Sequence, residues 1–310
     1  MDIKILDLND YPLSERNGTY GGRNGVKEGI TYNGEFWLVK YPQKTTENDE
    51  TVEVSYNAVI SEFLGSKIYE ILGCDVHKTM LGYRNNYIVV ACKDFCEKEG
   101  ALREIRTLKN IYDRNLKEAL DKLVHPINST YVVDIDEMLI HLNNNPILSK
   151  VPNVKERFWE CVVIDSFINN NRGNENWDIL YVDGKYKLAP IFANDMSFYN
   201  GISDDEMENV LSDIDKLESI VLDGETIFSK NGGALKYEQI LTLDDNELKE
   251  AINNVVPKIE MNFRMIKELI YSVPEEYRKI NIISSARKKF YIKSLEIKFE
   301  KLLQPKFNNG

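Results

Sequence analysis

The hydrophobic pattern of this chain changes near residue 95, and the change predicts two differently built regions. Before it, short runs of branched and aromatic residues alternate with turn residues, as strands do. The clearest run is 28–42, where Asn33-Gly34 tolerates positive φ at both turn positions and predicts a two-residue hairpin. Apolar residues at helical spacing predict one helix over 55–72, and 76–80 and 87–91 predict two more strands.

Beyond the boundary the pattern favours helices. Helical spacing predicts helices over 102–123, 133–142 and 157–169, and Asp183-Gly184 sits between two short predicted strands at 179–182 and 186–188. From 204 to 303 only helices are predicted, separated at Gly224, Gly232-Gly233, Pro257 and Pro274. The layout is α+β: a small β-rich N-terminal lobe over 1–92, a hinge at 93–97, and a larger, mostly helical C-terminal lobe over 98–310.

Composition narrows the classes of function. The chain has 310 residues with 50 acidic against 39 basic side chains, a net charge of −11, which argues against nucleic acid or an anionic membrane as partner. No secretory signal and no membrane-length apolar run is visible. Four cysteines without zinc-like spacing and three scattered histidines leave little for a zinc site or a histidine triad. We therefore expect a cytoplasmic protein with reduced thiols.

A glycine-rich stretch precedes the predicted hairpin. Gly21, Gly22 and Gly25 lie just before Lys27, and glycines let a backbone approach phosphate closely and point N–H groups at it. Short glycine-rich turns are also common as plain flexible loops. The stretch is a candidate phosphate site only if other residues support it.

Lys40 and Glu62 supply that support. Lys40 ends an apolar strand, where a lysine is costly unless it faces an anion or a carboxylate, although an edge lysine reaching solvent would serve as well. Glu62 lies on the following predicted helix, off the centre of its buried stripe. A glycine-rich loop, a strand lysine and a helix glutamate, in that order, are typical of the upper half of a protein-kinase ATP site.

The stretches 164–177 and 187–192 resemble the HipA-like serine/threonine kinases, and most of all their compact CtkA-like branch. Matching stretches at 20–27, 33–42, 61–73 and 89–95 extend the resemblance from about residue 20 to 200. The resemblance implies a bilobal protein-kinase-like fold and phosphorylation of a Ser or Thr hydroxyl on a protein, itself included, with ATP and Mg²⁺. Some members are toxins of toxin–antitoxin pairs, so an antitoxin or another regulatory protein is an implied partner.

The resemblance also implies roles for single residues. The loop glycines, with Lys27 beside them, would cover the phosphates, and Lys40 would hold the α- and β-phosphates while paired with Glu62. The backbone of Ala91, Cys92 and Lys93 would read the adenine edge. Asn176 would coordinate Mg²⁺, and Arg172 matches the arginine of the family's catalytic motif.

Two positions depart from the family pattern. Asn171 stands where the family has the aspartate that accepts the hydroxyl proton, and an amide has no comparably basic lone pair. Ala193 stands where the family has a metal-chelating aspartate, and alanine offers no ligand. A shift of two residues moves a carboxylate by about 6–7 Å along an extended segment, which weakens Asp195 as a simple replacement.

Three interpretations of these departures stay open. The chain is a natural pseudokinase that serves as a nucleotide- or protein-binding module, or Asp195 or Asp165 has taken over a lost role, or the chain is a deliberately inactivated variant. Transfer by the present sequence is expected to be absent unless Asp195 or Asp165 has taken over the lost role, in which case turnover should be easily measured.

Overall fold

A computed structural model describes residues 3–20, 26–47, 50–96, 101–111, 113–123 and 133–308. The chain forms two compact units, each assembled from three segments. The first contains Met1–Glu97, Ile191–Ile214 and Met261–Ser294, and the second contains Lys98–Pro190, Asp215–Glu260 and Leu295–Gly310. The contiguous lobes expected from the sequence, 1–92 and 98–310, stay a prediction.

The described residues form fifteen strands. They are β1 (Leu6–Asp7), β2 (Lys27–Tyr32), β3 (Glu35–Lys40), β4 (Gln43–Glu47), β5 (Glu50–Ser55), β6 (Thr79–Arg84), β7 (Tyr87–Lys93), β8 (Ala101–Glu104), β9 (Val133–Asp134), β10 (Asp178–Val182), β11 (Lys185–Leu188), β12 (Glu225–Lys230), β13 (Gly233–Lys236), β14 (Glu276–Tyr277) and β15 (Ile280–Asn281).

Eleven α-helices lie within the same described ranges. They are α1 (Asn57–Ile71), α2 (Ile105–Leu108), α3 (Arg114–Leu120), α4 (Ile135–Asn144), α5 (Val154–Ile168), α6 (Asp204–Leu211), α7 (Ile214–Leu222), α8 (Tyr237–Ile240), α9 (Asn246–Ser272), α10 (Ser285–Ile297) and α11 (Gln304–Asn308). Two 3₁₀ turns, Leu148–Lys150 and Asn174–Asn176, and a π-helical segment, Lys298–Leu303, complete the helical structure.

The first unit is built around a five-stranded sheet of order β1-β6-β7-β3-β2. Strands β2 and β3 pair up to Tyr32 opposite Glu35, and Asn33 and Gly34 take φ values of 51° and 78°, so the predicted two-residue hairpin is confirmed. Trp37 and Val39 pack with other buried side chains on one face of this sheet. Because side chains alternate along a strand, the neighbouring residues of β3 point to the opposite face, where α1 lies.

The second unit holds two three-stranded sheets, ordered β11-β10-β8 and β13-β12-β9. Helix α5 is buried nearly all round, and Phe158, Trp159 and Phe167 are among its buried side chains. It ends at Asn169, which takes the left-handed conformation with φ of 54° and turns the chain into the loop that carries Asn171.

The single helix predicted over 102–123 is wrong. Residues Ala101–Glu104 form β8 instead, because they pair with β10, and the ladder hydrogen bonds outweigh a weak helical preference. Asp113 then starts α3, where its side chain accepts a hydrogen bond from the Leu116 backbone N–H at 2.8 Å. That is the geometry of a helix N-cap, so the run contains a helix start in its middle.

The purely helical stretch predicted from 204 to 303 is also wrong, because it contains the paired strands β14 and β15 as well as β12 and β13. Strands β12 and β13 form a hairpin around Asn231 and Gly232, whose φ values are 52° and 82°. In addition, α9 runs through Pro257 rather than ending there. A proline removes only one helical hydrogen bond, and the buried face of this long helix offsets that loss.

None of the helices in the described ranges is long and apolar enough to cross a membrane.

Candidate active site

Lys40 and Glu62 are brought together in the first unit. The Lys40 Nζ lies 2.5 Å from Oε2 of Glu62, whose side chain is fully buried, whereas that of Lys40 is 18% exposed. Burial disfavours the charged forms of both side chains, but the attraction between the two opposite charges is stronger than this effect. The pKa of Glu62 is therefore held well below its usual range, and the pKa of Lys40 is raised. Lys40 therefore presents a permanent cation.

Lys27 and Asp195 join this pair. Lys27 lies directly opposite Lys40 in the β2–β3 register, so both ammonium groups share one face of the sheet. Burial, followed by the nearby Lys40 charge, lowers the pKa of Lys27. An Asp195 carboxylate oxygen lies 3.8 Å from the Lys40 Nζ. Paired cations on one face favour a ligand carrying several negative charges.

The second oxygen of Glu62 is held by residues that the sequence interpretation missed. Its Oε1 accepts hydrogen bonds from His77 Nε2 at 3.0 Å and from the Asn194 backbone N–H at 3.1 Å. Ser66 Oγ lies 3.0 Å from the same histidine nitrogen and accepts from Asn194 Nδ2 at 3.0 Å. An isolated histidine before a strand carries no motif, so no sequence signal singled out His77.

Ala193, where the resemblance predicts a metal-binding aspartate, is buried and takes a left-handed conformation with φ of 58°. Non-glycine residues in this region are mostly Asn and Asp, because other side chains are strained there. The backbone at 193 thus suits the aspartate that the family has, although the side chain present supplies no ligand atom.

The structure places Ala91 and Cys92 inside the sheet. Strand β7 runs between β6 and β3, so Ala91 faces Met80 and Val39 on its two sides, and Cys92 is flanked in the same way. Backbone groups in a central strand pair with the neighbouring strands, and the role of these two residues in reading adenine stays a prediction. Of the three predicted hinge residues, Lys93 alone ends the strand.

The side chain of Cys92 faces the same side of the sheet as Lys40. Burial, and then the negative charge of Glu62, raises the pKa of the Cys92 thiol, so it stays protonated. This residue lines the charged cluster without adding a charge to it.

Gly21, Gly22 and Gly25 lie outside the described residues. Tyr20, the residue directly before them, is held by hydrogen bonding. Tyr20 donates its hydroxyl to a carboxylate oxygen of Asp94 at 2.9 Å, and Arg16 Nε lies 2.7 Å from the same oxygen. Burial and the neighbouring Asp94 raise the pKa of Tyr20 to about 12. The approach to the glycine stretch is thereby fixed beside the end of β7.

In the second unit, Asn171 projects from a braced loop. The loop's flanks are held by Asp165, whose buried carboxylate receives Arg172 Nε at 2.8 Å and Asn170 Nδ2 at 3.0 Å. Tyr237 donates its hydroxyl to the Asn170 carbonyl at 2.6 Å. Asn171 itself is exposed.

Two residues singled out in the sequence, Arg172 and Asp165, form part of this support. Arg172 and Asp165 are both nearly fully buried and pair with each other, so they hold the loop in shape. A carboxylate committed to a buried arginine is a poor substitute for a lost base or metal ligand. Asn176 ends the 3₁₀ turn Asn174–Asn176 and is half-buried, with an amide oxygen of the type Mg²⁺ can bind.

Lys298 contacts the residues that lead into the same loop. Its Nζ donates to the Ser166 carbonyl at 2.9 Å and to Oδ1 of Asn169 at 2.8 Å, at the C-terminal end of α5. The Tyr237 ring lies 4.7 Å from the ammonium. Burial lowers the pKa of Lys298 to about 7.

A sheet of this order with a strand lysine paired to a helix glutamate is typical of a protein-kinase-like protein. The chain is 31% identical over 267 residues to the serine/threonine-protein kinase CtkA of Helicobacter pylori, covering 84% of this chain and 77% of that protein. It belongs to the HipA-like serine/threonine kinase family, and the predicted family and α+β fold class are confirmed.

A solved structure supports the fold. The crystal structure of the H. pylori proinflammatory kinase CtkA superposes with a TM-score of 0.83 at 26% identity, covering 99% of this chain and 97% of that one. A HipA of Shewanella oneidensis MR-1, solved with HipB and its operator DNA, gives a TM-score of 0.49 at 14% identity, over 94% and 69% of the two chains. No family model matches the chain. The fold assignment rests on the CtkA structure.

Proposed function

We propose that this chain is an ATP-binding protein of the serine/threonine kinase type whose present sequence transfers phosphate poorly or not at all. The observation that carries the proposal is the 2.5 Å pair between Lys40 and Glu62, with Lys27 beside it. In this arrangement Lys40 would neutralise phosphate charge while Glu62 fixes its position. Membership of a family with a named kinase supports the same activity.

The residues present fit ATP better than they fit Mg²⁺. Two ammonium groups on one face suit a polyphosphate. For the metal, the family position at 193 offers no oxygen, and the candidates that remain are the Asn176 amide and the Asp195 carboxylate. When bound, Mg²⁺ would neutralise charge on the phosphates. We propose that ATP binds with little dependence on Mg²⁺, because losing the carboxylate at 193 also removes negative charge facing the triphosphate.

The absent step in this chain would be proton acceptance. Phosphoryl transfer to a hydroxyl needs a group that orients it and takes its proton, and the Asn171 amide can do only the first. Loss of a base or of a metal ligand each costs a factor of about 10² or more in rate, and the two losses need not multiply. The acceptor we propose is a Ser or Thr hydroxyl on a protein.

Titration calorimetry with ATP, with and without Mg²⁺, tests nucleotide binding. We expect binding in both conditions, and at least about tenfold weaker binding in Lys40→Met, because that variant removes a charge-assisted contact to phosphate. A Lys4→Met variant, which removes a lysine outside the β2–β3 pair, controls for the change in net charge. Absence of binding by the unaltered chain in both conditions would refute the proposal.

A second experiment separates a kinase from a silent binding module. The double variant Asn171→Asp, Ala193→Asp is incubated with radiolabelled ATP and a protein acceptor, the chain itself included. Restored transfer supports the kinase. Intact ATP binding without transfer would favour a nucleotide-binding module, which the missing carboxylates at 171 and 193 also suit.

A further inference from the structure

Glu62 has a fully buried carboxylate whose two oxygens interact with different residues. Oε2 faces Lys40, whereas Oε1 receives His77 Nε2 at 3.0 Å, the Asn194 N–H at 3.1 Å and Ser66 Oγ at 3.5 Å. A buried carboxylate is stable only when its lone pairs are occupied. The donors on Oε1 therefore determine how the carboxylate is turned, and with it which oxygen Lys40 meets.

The main chain at His77 is held in place, and its side chain is enclosed by the protein. Its backbone N–H donates to the Ile191 carbonyl at 2.9 Å, and Val76 pairs with Ile191 in an isolated parallel bridge. The side chain is buried, with 6% of the residue exposed. Since an ionised carboxylate only accepts hydrogen bonds, Nε2 must carry the hydrogen that lies between His77 and Glu62. His77 is thus a rigid donor aimed at Oε1.

Lys40 has a second carboxylate within reach. Asp195 lies 3.8 Å from its Nζ and is 22% exposed, so pairing with Asp195 requires less desolvation than pairing with Glu62. Without a donor holding Oε1, the Glu62 carboxylate loses part of the compensation for its burial, and the balance shifts toward Asp195.

We propose that His77 is a positioning residue that holds Glu62 in the orientation required to pair with Lys40. The proposal rests on the proposed function, in which Lys40 contacts phosphate, and it deepens that function by naming a residue that fixes the position of the lysine. His77 itself touches neither nucleotide nor the reacting atoms.

A metal site is the competing explanation. The ligand atoms of Glu62, His77 and Cys92 lie within 4.8 Å of one another, and all three residues are buried. Burial raises the pKa of Cys92, so Zn²⁺ would have to displace a proton from a neutral thiol in order to bind there. The Lys40 ammonium, 2.5 Å from the same carboxylate, would also repel a cation. The geometry is that of a hydrogen-bonded network.

The experiment compares His77→Met, which fills the space without a donor, with His77→Gln, whose amide N–H can reach the same oxygen. The matched control is His141→Met, since His141 is also buried but belongs to α4 in the second unit. For each chain we measure the ATP dissociation constant, the thermal midpoint, and acetylation of Lys40 after brief exposure to acetic anhydride.

We expect His77→Met to weaken ATP binding about tenfold, the worth of one hydrogen bond to a charged group. Lys40 acetylation should rise about threefold or more, because the more distant and more exposed Asp195 stabilises the ammonium less than Glu62 does, so Lys40 deprotonates more readily. His77→Gln should restore both values to within about twofold of the unaltered chain. His141→Met should change the thermal midpoint alone.

The two proposals fail in different ways. If the unaltered chain binds no ATP, the proposed function is wrong, and the acetylation of Lys40 alone decides the role of His77. If His77→Met leaves Lys40 acetylation unchanged, or if His77→Gln behaves like His77→Met at the same thermal midpoint, His77 is not a positioning residue. Stoichiometric Zn²⁺ binding that His77→Met abolishes would also overturn the proposal.

Discussion

The Lys40–Glu62 pair should respond unequally to the loss of either partner. In Lys40→Met the Glu62 carboxylate stays fully buried without its counter-ion, and an uncompensated buried charge destabilises a protein by about 3–5 kcal/mol. In Glu62→Gln the remaining Lys40 is 18% exposed and has Asp195 at 3.8 Å. We expect that variant to lose only about 1–3 kcal/mol, the value of a hydrogen bond to a charged group.

The pH dependence has a defined sign. In the unaltered chain the pKa of Glu62 is lowered, so its contribution is present above the unfolded value of 4.5 and is lost as the pH falls further. In Lys40→Met the burial effect is no longer offset by the lysine, and the pKa of Glu62 should rise. The deficit of this variant should therefore be larger at pH 8 than at pH 5, since protonation at low pH removes the buried charge.

Urea unfolding monitored by tryptophan fluorescence, on both single variants and the double variant, gives these free energies and the coupling between the two residues. The double variant leaves no unpaired buried charge and should be more stable than Lys40→Met. A loss in Glu62→Gln equal to that in Lys40→Met, or a deficit in Lys40→Met that is the same at pH 5 and pH 8, would refute this reasoning.

Three further predictions concern single positions. Gly65→Ala should lower the free energy of unfolding by about 1–2 kcal/mol despite a better helix propensity, because its Cβ would lie 2.7 Å from Asn194 Cβ; Gly201→Ala, with nothing within 4 Å, should be neutral in the same urea assay. Ala193→Gly should raise the thermal midpoint, since glycine removes the backbone strain that alanine has at a φ of 58°, up to about 1 kcal/mol. A lower midpoint would contradict this. Burial lowers the pKa of Lys298 to about 7 from 10.5, so the stability of the unaltered chain should rise between pH 7 and 10, by at most roughly 5 kcal/mol; the pH–stability profile of Lys298→Met should lack that rise.

Local signals in the sequence were sufficient where one short-range rule decides the structure. Asn33-Gly34 and Asp183-Gly184 were correctly interpreted as hairpin turns, and both take the positive φ values that the dipeptides favour. Asn231-Gly232 carries the same signal between β12 and β13, but the sequence analysis predicts only helices in that region and misses the hairpin. The strand β8 could not be found locally, since its structure depends on pairing with β10, more than seventy residues away.

The residues of the candidate site also fall into two groups, those that the sequence identifies and those that only the folded structure identifies. Lys40 and Glu62 could be proposed because the order of loop, strand and helix is itself a pattern. His77, Ser66 and Asn194 could not, because their roles come from converging on one carboxylate oxygen after the chain has folded. The pairing of Ala91 and Cys92 with two neighbouring strands also needs the sheet order, which their own sequence does not contain.

The braced loop around Asn171 separates activity from folding. Asp165, Arg172 and Tyr237 fix the loop from within the protein, and the exposed side chain at 171 takes no part in that support. An exchange between acid and amide at this position therefore leaves the amount of folded protein in a cell almost unaffected. A change at 171 can therefore alter the chemistry of the loop without altering the concentration of the folded chain, although Ala193 means that this change alone is not expected to restore transfer.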